Sequence, residues 1–195
     1  MLIMTARTHD IAAITALAVV VLLYAPESLR LSTVLLAVLA NQLGGIAPDI
    51  DQPTAPLWRN LPVGKYFGKL FDDLSGGHRF LTHSILGLAI FGFLAHWLLI
   101  FLRPIMGSVN IDLVWWAFMI GMLSHLIMDT LTKEGVPWLL PVPIKFGLPP
   151  LKAFRITTGK AAETWGVFPL LLVFNAWLYH TNYQKLLAIL HRHLT

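Results

Sequence analysis

Apolar residues gather into five runs along the chain, at 11–24, 31–47, 85–102, 113–131 and 165–179, separated by polar stretches. A helix crossing about 30 Å of hydrocarbon needs about 20 residues, with about 17 as a minimum. The third and fourth runs meet that length, whereas the first and fifth are short for a full crossing. Arg7 ahead of the first run could open a cleaved leader, but Asp10 and "YAPESLR" do not supply a small-residue cleavage site. The pattern predicts an all-α integral membrane protein. It reads as one domain over 1–195, a bundle of about five transmembrane helices.

Shorter patterns lie between the runs. "APDIDQPTAP" is proline-rich and extended, because proline biases the residue before it away from helix. "GKYFGKLFDDLSGG" then places Phe67, Leu70, Phe71 and Leu74 at i, i+3, i+4 and i+7. That spacing predicts an amphipathic helix lying flat at the membrane interface, ended by Gly76 and Gly77. The segment 132–164 carries Pro137, Pro141, Pro143, Pro149 and Pro150, and reads as irregular backbone capping the bundle. "NYQKLLAILHRHLT" reads as another short amphipathic helix.

Composition agrees with a membrane protein. Of 195 residues, 56% are hydrophobic and 12% charged, with mean hydropathy +0.69; soluble domains carry about 25% charged residues. The absence of cysteine excludes disulfides, thiolate metal sites and cysteine nucleophiles. With five spans, the N-terminus and both long loops share one face. That face holds ten of the fourteen Lys and Arg residues, all but Arg30, Arg103, Lys185 and Arg192. The positive-inside rule places it in the cytoplasm.

The same face collects the candidate chemistry. "PDID" sets Asp49 and Asp51 two residues apart, and "HRFLTHS" supplies His78 and His83, with Thr82 or Ser84 placed to cap the next helix. "SHLIMDTLT" puts His125 and Asp129 at i and i+4 on one helical face. "THD" adds His9 and "TGKAAE" adds Glu163. Each motif alone has a bland reading as a turn, a cap or a packing pair. Together, four histidines and four carboxylates beside dry helices point to metal, since such groups are costly unless paired or liganded. Sulfur-free imidazole and carboxylate donors suit zinc, manganese or iron, and their number suits two or more ions. Asp49 and Asp51 can turn toward one centre or bridge two ions.

"PDID", "GHRFLTHS", "SHLIMDTLTKEGVPWLLP" and a late "G-x-x-x-E" step resemble the YdjM-like family of bacterial inner-membrane, metal-dependent hydrolases. The resemblance covers nearly the whole chain. It implies that Asp49, Asp51, His78, His83, His125 and Asp129 form the site, with His9 and Glu163 beside them. The order of donors is also distantly similar to zinc-dependent phospholipase C. Phe80 departs from the glycine that often follows "HR" in the family.

The expectation is a phospholipase or lipid phosphatase at the membrane surface, with membrane lipids as partners and Asp51, Arg79 and His125 carrying the chemistry. Arg79 has two readings, pairing with a substrate phosphate or anchoring to headgroups. Lys133 and Lys160 offer further positive charge, and Trp138 and Trp165 offer interfacial aromatic surface. Two alternatives stand beside this. One is a metal or proton transporter, although transporters place their sites near the midplane, where only Asn41, Gln42 and His96 are polar here. The other is a non-catalytic protein that uses metal to tie its loops together. Walker, dinucleotide and serine-elbow motifs are absent, and the basic residues lack the aromatic interleaving of a nucleic-acid platform.

Overall fold

The structure, a computed structural model, describes residues 6–24, 29–55, 58, 61–75, 79–142 and 144–191. These residues are all-helical. Helix α1 spans Ala6–Tyr24 and α2 Leu31–Ile46, followed by a 3-10 turn, Ala47–Asp51. Helix α3 spans Gly64–Ser75, α4 Ile85–Met106 and α5 Ile111–Thr130. A π-helical turn, Ala162–Val167, leads into α6, Phe168–His191. Among the described residues there are no strands, only isolated bridges at Thr132–Ile156 and Val136–Phe146.

Four helices are long and apolar enough to cross a membrane: α1, α2 with its 3-10 turn, α4 and α5. The fifth apolar run differs from expectation. It lies in a 24-residue helix whose second half carries His180, Asn182, Gln184 and Lys185, and this polarity keeps α6 out of the set. The expected tail helix is not separate but continues α6 through His191, since no glycine or proline interrupts 170–191. Asn175 donates to Thr15 Oγ1 at 2.6 Å and Lys185 donates to the Leu22 carbonyl, so polar groups of α6 seat it along α1.

Helices α2 and α5 make the most extensive contact in the molecule. Its cause is glycine. A Cβ on Gly121 would lie 2.0 Å from the Asn41 carbonyl oxygen, and one on Gly44 would lie 2.0 Å from that of Phe118. The backbones touch where any side chain would push them apart, as at small-residue helix crossings in membranes. Asn41 is fully buried there and donates to the Ala117 carbonyl at 3.1 Å, while Gln42 donates to the carbonyl of Asp10. The mid-span amides therefore serve packing. Gly121→Ala is expected to destabilise the protein by about 1–3 kcal/mol through this backbone clash. It should also weaken metal binding, because His125 stands one turn further along α5; thermal unfolding and metal titration in detergent check both.

Four antiparallel spans leave the start of α1, the end of α2, the approach to α4 and the end of α5 at one end of the bundle. Gly107, with φ +58°, closes α4, and Asn110 caps α5 by accepting from the N–H groups of Asp112 and Leu113. Ser84, rather than Thr82, caps α4 through the N–H of Gly87 at 3.0 Å. In α3, Phe67 and Phe71 lean on Trp58, whereas Tyr66 and Leu74 stay exposed. The long loop is pinned to this end by Leu148 N–H to the Thr130 carbonyl and Ile85 N–H to the Trp138 carbonyl.

Candidate metal centre

Five pieces of chain deliver the polar side chains. Helix α1 places His9 in its first turns, the 3-10 turn after α2 carries Asp49 and Asp51, and the segment before α4 holds Arg79, Thr82 and His83. Helix α5 presents His125 and Asp129 from its last two turns, and the π-helical turn brings Glu163. Proline at the second position of the 3-10 turn fixes its start and leaves Asp49 at its centre. His9, Asp51, His83, His125, Asp129 and Glu163 are all buried, while Asp49 retains 16% exposure.

Two groups of ligand atoms gather within 4.8 Å of one another: His9, His125 and Asp129, and Asp49, His83 and His125. The His9 and His125 rings stack at 3.8 Å and 11°. His9 Nε2 lies 3.6 Å from Asp129 Oδ1, and His83 Nε2 lies 3.3 Å from Asp129 Oδ2. His125 Nε2 lies 3.6 Å from Asp49 Oδ1 and 3.7 Å from Asp129 Oδ2. His125 Nδ1 donates to the Gly45 carbonyl at 2.6 Å, which fixes the tautomer and turns the Nε2 lone pair inward. The close approach at Gly44 and Gly121 makes that bond possible.

His83 is oriented through a hydroxyl. Thr82 Oγ1 donates to Asp51 Oδ2 and accepts from His83 Nδ1 at 2.9 Å, leaving His83 Nε2 to face Asp129 and Asp49. Since one imidazole nitrogen binds one ion, His125 Nε2 cannot serve both groups at once. The two groups are therefore either one centre or two neighbouring ions that share carboxylates. Asp129 is the carboxylate between them, with Oδ1 toward His9 and Oδ2 toward His83 and His125.

The donors fit a cation. Both ring nitrogens of His9, His125 Nε2, Asp49 Oδ1 and Asp129 Oδ2 are buried without a hydrogen-bond partner among the described residues. Orphaned buried polar atoms cost about 1–3 kcal/mol each, and coordination would satisfy His125 Nε2, one nitrogen of His9 and the two carboxylate oxygens. Asp49, Asp51 and Asp129 bring three carboxylates to the cluster while the Arg79 guanidinium pairs with Asp129, and a divalent ion would offset the remaining negative charge.

Arg79 is held inside the protein and not at the headgroups. It is 2% exposed, with Nη2 donating to Asp129 Oδ1 at 2.8 Å and Nη1 to Thr132 Oγ1 at 3.0 Å; Glu134 lies 3.6 Å away. Its φ of +60° is left-handed, a strained conformation for arginine that aims its N–H at Asp51 Oδ2. The guanidinium thus clamps protein groups rather than reaching headgroups. Glu163 accepts from Thr8 Oγ1 at 2.8 Å and from Gly159 N–H at 2.6 Å, tying the start of α1 to the loop before α6. Neither Asp51 nor Glu163 belongs to the two ligand groups, and His78 lies outside the described residues. The sequence reading missed Thr8, Thr132 and the Gly45 carbonyl as supports. Only Thr8 carried a signal, as the neighbour of His9.

Burial alone would lower the His83 pKa. The carboxylates of Asp129 and Asp51 beside the ring, with the charge of Asp49, outweigh it and raise the imidazole to about 9. In the metal-free protein His83 therefore keeps a proton at neutral pH that an ion must displace. Metal affinity is expected to rise by about tenfold per pH unit and to level off above pH 9. Zinc titrations at pH 6.5, 7.5 and 8.5 check the slope; a flat profile would take His83 out of the coordination shell.

Among known proteins, the family model described as "YdjM inner membrane protein" matches residues 4–188. Uncharacterized protein YvsG of Bacillus subtilis (strain 168) is 30% identical over 161 residues, 82% of this chain and 85% of that protein. Inner membrane protein YdjM of Escherichia coli (strain K12) is 32% identical over 141 residues, 70% of this chain. That match spans 63% of the Escherichia coli protein, less than two thirds of its length. No solved structure matches the chain.

Proposed function

The chain belongs to the YdjM family of inner membrane proteins, and from that premise we propose that it is a membrane-bound, metal-dependent hydrolase of lipid phosphoesters. The observation that carries this reading is the pair of His/Asp groups, in which the His9 nitrogens, His125 Nε2, Asp49 Oδ1 and Asp129 Oδ2 are buried with no hydrogen-bond partner among the described residues. His9, Asp49, His83, His125 and Asp129 would hold one or two ions, with zinc first on donor type and manganese or iron next. A bound divalent ion supplies Lewis acidity, polarising a phosphoryl oxygen and bringing the pKa of water to about 7. The chain's own residues do the positioning. Gly45 fixes His125, Thr82 and Asp51 orient His83, and Arg79 holds Asp129 in place. Asp49, as the cluster member with surface exposure, marks the side from which substrate reaches the site.

A lipid substrate is favoured because the cluster stands at one end of the four spans, beside α3 with its exposed Tyr66, Leu70 and Leu74. The distribution of Lys and Arg favours the cytoplasmic side. That terminal position also weighs against a transporter. The deep burial of His9, His83, His125 and Asp129 favours one competing reading, a structural ion tying the helices together. Turnover separates the two. Purified protein loaded with zinc is offered phosphatidic acid and phosphatidylglycerol, with a chelated control and His125→Ala. Release of phosphate or headgroup that needs both metal and His125 supports the hydrolase. Metal-dependent stability without turnover across lipid phosphoesters would leave the structural ion.

A further inference from the structure

Several grooves indent the described surface. Those between α2, α4 and α5, and between α1, α2 and α6, are apolar-walled. A third differs in chemistry. It is a groove of about 630 Å³ formed by the loop between α5 and α6 against Thr130, and its walls combine Trp138, Phe146 and Leu148 with Lys145 and Arg155. Among the described residues, no carboxylate lines it. Lys145 is exposed and makes no hydrogen bond or ion pair among the described residues. Arg155 donates to the carbonyls of Pro149 and Pro150 at 2.8 and 3.0 Å, which positions the guanidinium without neutralising it.

The groove is firmly built. Trp138 Nε1 donates to Thr130 Oγ1 at 2.9 Å, fixing one wall to the end of α5. Val136 and Phe146 exchange backbone hydrogen bonds at 2.8 and 2.9 Å, holding the opposite wall. Gly135, with φ +68°, lets that pair close, since a Cβ there would lie 2.4 Å from the Phe146 carbonyl oxygen. Around the groove, Leu151 is 66% exposed and Phe154 73%, with Leu139 at 53%. A loop with this much bare apolar surface suits the lipid interface rather than bulk water.

We infer that this groove is a docking site for an anionic phospholipid, with the headgroup phosphate on Lys145 and Arg155 and the acyl region against Trp138, Phe146 and Leu148. Two uncompensated cations select negative charge, and the apolar walls select an amphiphile over a free anion. Thr130 lines the groove while its neighbour Asp129 faces the metal cluster, because successive helical residues point about 100° apart. The groove and the cluster are thus adjacent but distinct, and lipid docking here does not require that the cluster be catalytic.

The test uses the full chain in detergent, delipidated and then exposed to equimolar phosphatidylglycerol and phosphatidylcholine, with retained lipid counted by mass spectrometry. The wild type is expected to favour phosphatidylglycerol. Lys145→Gln with Arg155→Gln should reduce that preference by about fivefold per charge removed. Because Arg155 also holds two loop carbonyls, Lys145→Glu, which breaks no contact, is the second variant and should lower the preference at least as far as a single neutralisation. Equal retention of the two lipids by the wild type, or an unchanged preference in Lys145→Glu, would overturn the proposal. The preference should persist under chelator, since loss there would place the phosphate at the metal cluster instead. Inorganic phosphate at millimolar concentration should not displace the lipid; displacement would mean that the groove takes a soluble anion.

Discussion

Asp129→Asn is expected to weaken metal binding, by removing a donor from one ligand group, and to destabilise the protein by about 3–5 kcal/mol, the largest stability effect of any single change considered. Asp129 is fully buried and lies within 3.7 Å of His9, His83 and His125, and it accepts from Arg79 at 2.8 Å. The amide keeps the shape of the side chain and removes its charge. Arg79 is then a buried cation deprived of its closest counter-charge, and breaking a buried pair from one side carries a penalty of that size. Arg79→Met combined with Asp129→Asn separates the two roles. The double variant should regain part of the stability, because the stranded charge is gone, and should still bind metal more weakly than the wild type. Thermal unfolding in detergent and zinc titration read the two quantities independently. An Asp129→Asn protein that melts with the wild type and binds zinc equally would show that the carboxylate neither balances Arg79 nor serves as a ligand.

His125→Ala is expected to weaken metal binding by at least about 100-fold and to remove any hydrolytic turnover. His125 is the one residue common to both ligand groups. His9→Ala and His83→Ala each remove a member of a single group, so each should leave the other group with its three donors and bind with intermediate affinity. Loss of supporting contacts alone changes metal affinity by about 10–100-fold, and loss of a shared ligand should exceed that. His125→Ala also leaves the Gly45 carbonyl without its partner, a further destabilisation of about 1–3 kcal/mol. Competition against a chelator of known affinity measures the ranking. Equal losses for all three alanine variants would contradict the shared role of His125.

The convergence of these motifs is legible in the sequence alone. The i, i+4 spacing of His125 and Asp129 fixes both on one face of α5 wherever that helix goes. The odd number of chain reversals before "PDID", and again at the end of α5, gathers the motifs at one end of the bundle. What sequence could not carry were contacts between distant residues. Arg79 meets Asp129 across 50 positions, and nothing local distinguishes a buried arginine from one at the headgroups. Its left-handed backbone has no glycine to announce it. Glu163 read as a ligand because it closes a motif, yet its oxygens are engaged by Thr8 and Gly159, so it braces α1 where His9 emerges. Thr82 and Ser84 both read as helix caps; Ser84 fills that role, and Thr82 instead links Asp51 to His83.

The span count was harder for a similar reason. The apolar part of 165–179 has the look of a short span, and periodicity does not reveal that the helix runs on through polar residues to His191. Its seat along α1 depends on Asn175 and Lys185, whose partners lie about 160 positions away, at Thr15 and Leu22. The glycine contact between α2 and α5 was equally silent. Gly44, Gly45 and Gly121 are unremarkable in an apolar run until two backbones are laid together.

The central claim is that the buried His/Asp cluster binds metal, and metal content per chain tests it most directly. Detergent-purified full-length protein, chelator-stripped and then reconstituted separately with zinc, manganese and iron, is measured by elemental mass spectrometry after removal of free ions. The account predicts one or two ions of at least one metal per chain, and near-complete loss of them in His125→Ala. Wild-type protein that stays empty with all three metals would contradict it.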